Sequence, residues 1–415
     1  MTLFQQIKEG LTDMLYIWAK EIRNVFTDEG VLIFFILVPI GYPLLYSWIY
    51  NNEVVREVPV AVVDMDHSAM SREFIRKLDA SPDVKVAYYC NSIDDGKDLV
   101  GRQVVRGVIY LPSDFSKKVN RSQQSYVSVY CDMNLMLAYK AIYQSSQAVA
   151  SLMSSQIQLE RSVDFNEQED LQTTAPVQQE AVNIFNSTIG YGNAIIPPVL
   201  MLILHQTLLL GIGLAAGTAR ENNRFSDLVP ISHHYNGIFR IVMGKSLCYF
   251  MIYMVMGTYV GICVPRFFSF TAMNHAEYYF PFLIPFLLAT IFFGMTISGV
   301  VRHRENILLL VVFTSVPLLF LSGVSWPISN LPAFWKYFSY LFPSTFGLRG
   351  YMTLSSMGGT LNDIEFEYKG LWIQVFVYLF LTCLVYRRQI NLSHTHSRKR
   401  IDHIKEILKT AKEGQ

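Results

Sequence analysis

Several short motifs carry residue types that can do chemistry. Val63-Asp64-Met65-Asp66 spaces two carboxylates as an acidic pair that holds a divalent metal or the ribose of a nucleotide would. The competing reading is a turn at a strand end, with Asp66 or Ser68 capping the next helix. No third carboxylate or histidine cluster lies at ligand spacing, so the cap is favoured and no metal is expected. Gly244-Lys245-Ser246 has the ending of a phosphate-binding loop, but that loop needs glycine at position 239, which is Phe239, and a strand before it. The triplet instead enters an apolar run, and no other such loop exists, so the chain is not expected to hydrolyse ATP. His233, His234, His394 and His396 lie in polar stretches and read as surface rather than as metal ligands. Cys90 and Cys131 each end a strand-like run, which leaves a disulfide and two separate thiols both open; a bond needs Cα atoms within about 7 Å. Cys248, Cys263 and Cys383 fall in apolar runs and read as packing residues. His205-Gln206 sits deep inside another apolar run, where polar groups are candidates for a substrate path, the alternative being a hydrogen bond to a neighbouring helix.

The elements that must position these residues belong in a bilayer. Of the 415 residues 51% are hydrophobic and only 16% charged, and the charges cluster between long uncharged runs. A net charge of +1 without a basic stripe gives no reason to expect a nucleic-acid partner. Crossing the hydrocarbon takes roughly 20 apolar residues as a helix, since each unsatisfied backbone group in lipid costs several kcal/mol. Six runs qualify: 31–50, 195–216, 241–264, 279–301, 307–324 and 371–386, the last two being the shortest. No cleavable leader is expected, because the first run lies far from the start and ends without a small-residue cleavage site.

Basic residues in short flanks set orientation. Arg220 and Arg224 follow the second run, Arg302 and Arg304 separate the fourth from the fifth, and Arg387, Arg388, Arg398, Lys399 and Arg400 follow the sixth. Threading six spans puts all of these on one side together with the amino terminus, which assigns that side to the cytoplasm. The segment 51–193 is then extracytoplasmic, as are 265–278 and 325–370. The expected organisation is a cytoplasmic interfacial helix in 1–30, the first span at 31–50, the insertion at 51–193, five further spans within 194–388, and a basic cytoplasmic tail at 389–415.

The insertion alternates strand and helix patterns, the sign of an open α/β sheet: strands at 58–63, 84–89, 105–111 and 126–130, and helices at 71–80, 92–103 and from 112. From 135 to about 171 there is neither Gly nor Pro, which predicts a long amphipathic helix. In the amino-terminal segment, Ile7, Leu11, Met14, Leu15, Trp18, Ile22, Val25 and Phe26 recur at helical spacing with charges opposite, the pattern of a helix lying in the membrane interface.

Four groups of residues together resemble a family. They are Val58-Pro-Val-Ala-Val-Val-Asp-Met-Asp-His-Ser68; Phe185-Asn186 with Asn193-Ala-Ile-Ile-Pro-Pro198; the Arg220-Glu221 to Pro230 segment; and Leu321-Ser322-Gly323-Val-Ser-Trp-Pro327 with Leu331-Pro332, Phe342-Pro343-Ser-Thr345 and Arg349-Gly350. In this order and spacing they resemble type-2 ATP-binding-cassette exporter permeases, nearest to multidrug-efflux-like members with a large domain after the first span. The resemblance implies a noncatalytic permease half. It would pair with a second permease, as homodimer or heterodimer, and dock a separate ATP-binding subunit that holds the ATP and Mg; a periplasmic adaptor is a further partner. It also implies a bacterial inner-membrane location and efflux of drug-like, amphipathic or lipid-like compounds. By the same resemblance the 217–240 loop is the coupling element, with Glu221, Arg224, Phe225, Asp227, Leu228 and Pro230 as docking residues, although Asn222 and Asn223 depart from the acidic-basic start usual in the family. The 325–350 region, with Ser322, Gly323, Pro327, Pro332 and Pro343, resembles the family's outer re-entrant helices. Leu331, Phe334, Trp335, Phe338 and Leu341 make an apolar face too short to span. Non-helical backbone at that depth is tolerated only inside protein or along a cavity. A nontransporting receptor or force-relaying subunit that acts through the insertion is the alternative function. A channel fits least, since no polar filter sequence is visible.

Overall fold

The computed structural model describes residues 3–51, 55–161, 184–186, 190–223, 227–230, 235, 237–270, 272–273, 275–301 and 303–413. The chain separates into two compact units, Met1–Asn51 with Ile184–Gln415, and Asn52–Asn183. In chain order, helix α1 (Leu3–Thr27) precedes α2 (Glu29–Ile49). The second unit follows as β1 (Val58–Asp64), α3 (Ala69–Asp79), β2 (Val84–Tyr89), α4 (Ile93–Gly101), β3 (Gly107–Leu111), α5 (Phe115–Asn120), β4 (Ser128–Cys131) and α6 (Met136–Arg161). The first unit resumes with α7 (Tyr191–Asn222), α8 (Ile238–Phe267), α9 (Ala276–Val300), α10 (Arg304–Leu321), α11 (Ala333–Ser339), α12 (Pro343–Ser356) and α13 (Glu365–Glu413). Among the described residues six helices, α2, α7, α8, α9, α10 and α13, are long and apolar enough to cross a membrane.

In the second unit the strands form one sheet in the order β2-β1-β3-β4, with β1 parallel to both neighbours and β4 antiparallel to β3. Strand β1 is central and reads as an unbroken apolar run because both of its faces are covered. Val58, Val60 and Val62 join Phe74, Leu78 and Ile142 of α3 and α6 in one core, while Ala61 and Val63 meet Val105 and Val108 in another. This sheet order settles the cysteines. Cys90 directly follows β2 and Cys131 ends β4, the two edge strands, so three strand spacings, about 14 Å, lie between them. Both thiols are free, and the disulfide left open by the sequence does not form in this sheet. Burial holds both thiols above their ordinary range, and an Asp95 charge adds to the effect at Cys90; Cys131 is pushed up to about 11.

The Asp64–Asp66 pair is structural. Asp64 accepts from the backbone N–H groups of Asp66 (3.0 Å) and His67 (3.1 Å) and from the Ser71 hydroxyl (2.7 Å). Asp66 accepts from the N–H (3.3 Å) and hydroxyl (3.0 Å) of Ser116, tying β1 to α5. Ser68 caps α3 in a reciprocal pair with Ser71. Among the described residues no group of three or more potential metal-ligating side chains occurs.

Among the helix boundaries in the first unit that differ from the sequence reading, two have a clear local cause. Helix α10 stops at Leu321 rather than reaching 324, because Gly323 turns the chain at φ +86°, a conformation costly for any residue with a Cβ. Helix α13 does not stop at 386. It runs 49 residues through the expected tail at 389–415, since no Gly or Pro interrupts 371–413 and Lys, Arg and Glu sustain a helix in water as well as Leu does.

Candidate functional site

Helix α1 packs along α8, and its buried positions follow helical spacing: Asp13, Ile17, Glu21 and Val25. Leu11, Leu15 and Phe26 of the apolar stripe instead remain exposed. Gly244 permits the close approach, since a Cβ there would lie 2.9 Å from the Met14 carbonyl oxygen and 3.0 Å from the Ile17 Cβ. Gly244-Lys245-Ser246, whose residue types match the end of a phosphate-binding loop, is thus a contact between helices. Lys245 Nζ lies 3.0 Å from Glu21 Oε1, with the side chains only 6% and 4% exposed, and the Tyr249 hydroxyl donates to the same oxygen. A charge taken out of water this completely persists only when paired and hydrogen-bonded. Nearby, Arg240 pairs with Asp13 at 2.6 Å. The sequence held the signal for this seam, a lysine within an otherwise apolar span and a glutamate four residues from both Ile17 and Val25.

Next to the seam, Asp28 caps α2 by accepting from the N–H groups of Gly30 and Val31. It also accepts from the Thr218 hydroxyl of α7 and pairs at 3.0 Å with Arg304 at the start of α10. Arg304 reaches Glu221 as well, at 3.3 Å. Burial alone would raise the Asp28 pKa, but the Thr218 hydroxyl, the two backbone N–H groups and Arg304 outweigh it and hold the carboxyl below its ordinary value of 3.8. Arg220 donates to the backbone carbonyls of Val301 and Gly299 at the end of α9, and Gln389 of α13 donates to Gly299 as well.

The loop between α7 and α8 is fastened from the inside. Asp227 meets His396 of α13 at 3.0 Å, the Ser393 hydroxyl donates to the Val229 carbonyl at 3.1 Å, and Asn223 donates to the Asp227 carbonyl at 2.9 Å. His396, read from sequence as surface, is thus an anchor. Leu228 and Val229 enter the apolar core of the unit. Of the six expected docking residues, Asp227 and Leu228 are buried within this chain, since a short loop between two spans has to bury some side chains to hold its own shape. Glu221 is exposed and Pro230 half-buried, while Arg224 and Phe225 lie outside the described residues, as do His233 and His234. A cavity of about 760 Å³ separates this loop from the α1–α2 corner, with Glu21, Asp28, Thr218, Leu228, Lys245 and Arg304 among its lining.

Within the spans, His205 and Gln206 are buried, and among the described residues neither side chain has a hydrogen-bond partner. The His205 ring stacks on Phe293 with centroids 6.3 Å apart. Gln206 opens into a cavity of about 520 Å³ between α2, α7 and α10, which Tyr42, Tyr46 and Tyr50 line along one face of α2. On the segment after α10, Ser322 is fully buried and its carbonyl accepts from Arg349 at 2.8 Å. Pro327 precedes a 3₁₀ turn (Ile328–Asn330), Pro332 precedes α11, and Pro343 is the first residue of α12, each placed where a missing N–H costs nothing. Helix α11 leaves Phe334 and Tyr337 exposed, whereas α12 buries Leu348, Tyr351 and Leu354.

A family described as ABC-2 family transporter protein matches residues 30–386. No curated protein matches the chain.

Proposed function

The chain belongs to the ABC-2 transporter family, and from that membership we propose that it is the permease subunit of an exporter for drug-like, amphipathic or lipid-like compounds, working with a second permease and driven by separate ATP-binding subunits. The observation that carries the coupling part of this reading is the bonding of the α7–α8 loop. Asp227 and Val229 of the loop are tied to α13, and at the end of α7 that leads into it Glu221 pairs with α10 and Arg220 with the end of α9, so a displacement here is passed to three spans. ATP binding shifts a permease between states only through such differential contacts. In this reading Glu221, Arg224, Phe225 and Pro230 face the ATP-binding subunit, with Asp227 and Leu228 as internal anchors. The loop, α1 and the carboxyl-terminal part of α13 lie on the cytoplasmic side of a bacterial inner membrane, where the exposed Leu11, Leu15 and Phe26 of α1 suit the interface, and the insert lies outside, within reach of a periplasmic adaptor.

For the translocation path we assign the cavity between α2, α7 and α10. Gln206, whose buried amide has no hydrogen-bond partner among the described residues, lies in its wall, and the spans around it leave large apolar faces uncovered, Phe313 of α10 being 74% exposed. An amide buried without a partner costs about 1–3 kcal/mol, a cost that cargo or a second permease removes by hydrogen bonding to it. The test is co-expression with an ATP-binding subunit. The purified chain alone is expected to show no ATPase activity, and the complex substrate-stimulated activity; failure to co-purify with any such subunit overturns the reading. The insert's separate core supports the alternative of a receptor or force relay. If deleting the insert abolishes only partner binding and leaves efflux intact, the insert is such a module.

A further inference from the structure

The second unit contains a cavity of about 510 Å³ between β4, α5 and α6, within the usual range for small-molecule sites. Phe74, Phe115, Val129 and Met153 supply apolar wall. Along α6 the lining positions Ser146, Ala150, Met153, Ile157 and Arg161 follow helical spacing, a stripe about 22 Å long.

Two hydroxyls in this lining are unusual. Ser154 and Ser155 on α6 return their hydroxyls to carbonyls four residues earlier, at 2.7 and 3.1 Å, as helical serines commonly do. Ser146 on the same helix does not. It is only 5% exposed, lines the cavity, and its Oγ has no hydrogen-bond partner among the described residues. Ser125 across the cavity has a buried Oγ in the same condition. Buried polar atoms are ordinarily satisfied, so these two mark places where a bound molecule would complete the bonding. The charge of the lining is also one-sided among the described residues: Arg161 is its cation there, and no Asp or Glu joins it. One guanidinium nitrogen donates to the Val119 carbonyl, which fixes the group at the cavity, and a guanidinium carries further N–H donors.

We propose that this cavity binds an elongated amphipathic anion, a carboxylate or sulfonate whose acidic group pairs with Arg161 and whose apolar body carries hydrogen-bonding groups that reach Ser146 and Ser125. The inference stands on the second unit alone and holds whether or not the chain exports anything.

Cholate has the required features and serves as the probe. Equilibrium binding is measured on the full chain in lipid nanodiscs, below the micellar concentration, with empty nanodiscs subtracted. One saturable site per chain is expected. Ala150→Trp, which fills the cavity, and Arg161→Gln, at an exposed position whose change leaves the fold intact, should each weaken binding about tenfold or more; Ser146→Ala should weaken it about fivefold. Dodecyltrimethylammonium, of opposite charge, should not compete. No saturable component above empty nanodiscs, wild-type affinity in both Ala150→Trp and Arg161→Gln, or equal competition by the cation overturns the proposal.

Discussion

Glu21 and Lys245 meet 3.0 Å apart between α1 and α8, both nearly removed from solvent, with the Tyr249 hydroxyl on the same carboxylate oxygen. Removing one member leaves the other charged and buried, which costs about 3–5 kcal/mol, whereas replacing both with apolar residues of similar volume is far milder. Thermal unfolding in nanodiscs should therefore show Glu21→Gln and Lys245→Met strongly destabilised and the double variant Glu21→Leu with Lys245→Met substantially recovered. Additive losses in the double variant would mean the pair is not coupled.

Acid should weaken the corner held by Asp28. Its folded-state pKa lies below the ordinary 3.8, so its stabilisation is complete above that value and is lost as the pH falls through the lower folded value. Asp28→Asn forfeits the contribution at neutral pH. The difference in melting temperature between wild type and Asp28→Asn is expected to be constant from pH 7 to about 5 and to shrink below about 3.8.

Gly244→Val should separate α1 from α8. The added side chain would press on the Met14 carbonyl, at a cost of about 1–3 kcal/mol for overpacking that cannot relax through a flexible side-chain tip. In the ATPase-coupled complex the variant should retain partner binding while losing substrate stimulation, as read by co-purification and phosphate release.

Gln206→Leu removes an amide that lacks a partner among the described residues. The variant should be as stable as wild type or more so, while substrate-stimulated ATPase activity changes; unaltered stimulation with every tested cargo would remove Gln206 from the path.

Cys90 and Cys131 should migrate unbridged on nonreducing gels and take up alkylating reagent individually in variants retaining one cysteine. With its thiol pushed up to about 11, Cys131 should alkylate slowly at pH 8 and nearly tenfold faster at pH 9, because only the thiolate reacts.

The six spans were legible because lipid imposes one requirement, uninterrupted apolar length, that hydropathy reports directly. Strand β1 was legible for a related reason, since Val58 to Val63 is apolar on both faces. Strand order was not. Nothing at the ends of β2 and β4 records that β1 and β3 lie between them, so the cysteine pair stayed open until the sheet was seen. The end of α13 was not legible, because hydropathy marks where a helix leaves lipid and says nothing about where it stops being a helix. At the site, residue types were readable but partners were not. Asp227 looked like a docking charge, and its neighbour in space is His396, 169 positions away. The pairing of Lys245 with Glu21 was not legible, because the two residues flanking Lys245 point to a different motif and Glu21 lies 224 positions away.

The continuity of α13 makes it a mechanical member. At 1.5 Å per residue its 49 residues form a rod about 74 Å long, more than twice the thickness of the hydrocarbon layer. Ser393 and His396, which hold the α7–α8 loop, lie about 42–47 Å along it from Glu365. A tilt of about 5° about the first turn carries the far tip roughly 6 Å and this attachment roughly 4 Å. Anything that grips the last five turns thus works with a longer arm than the loop does, and torque applied there reaches the loop with its displacement reduced and its force multiplied.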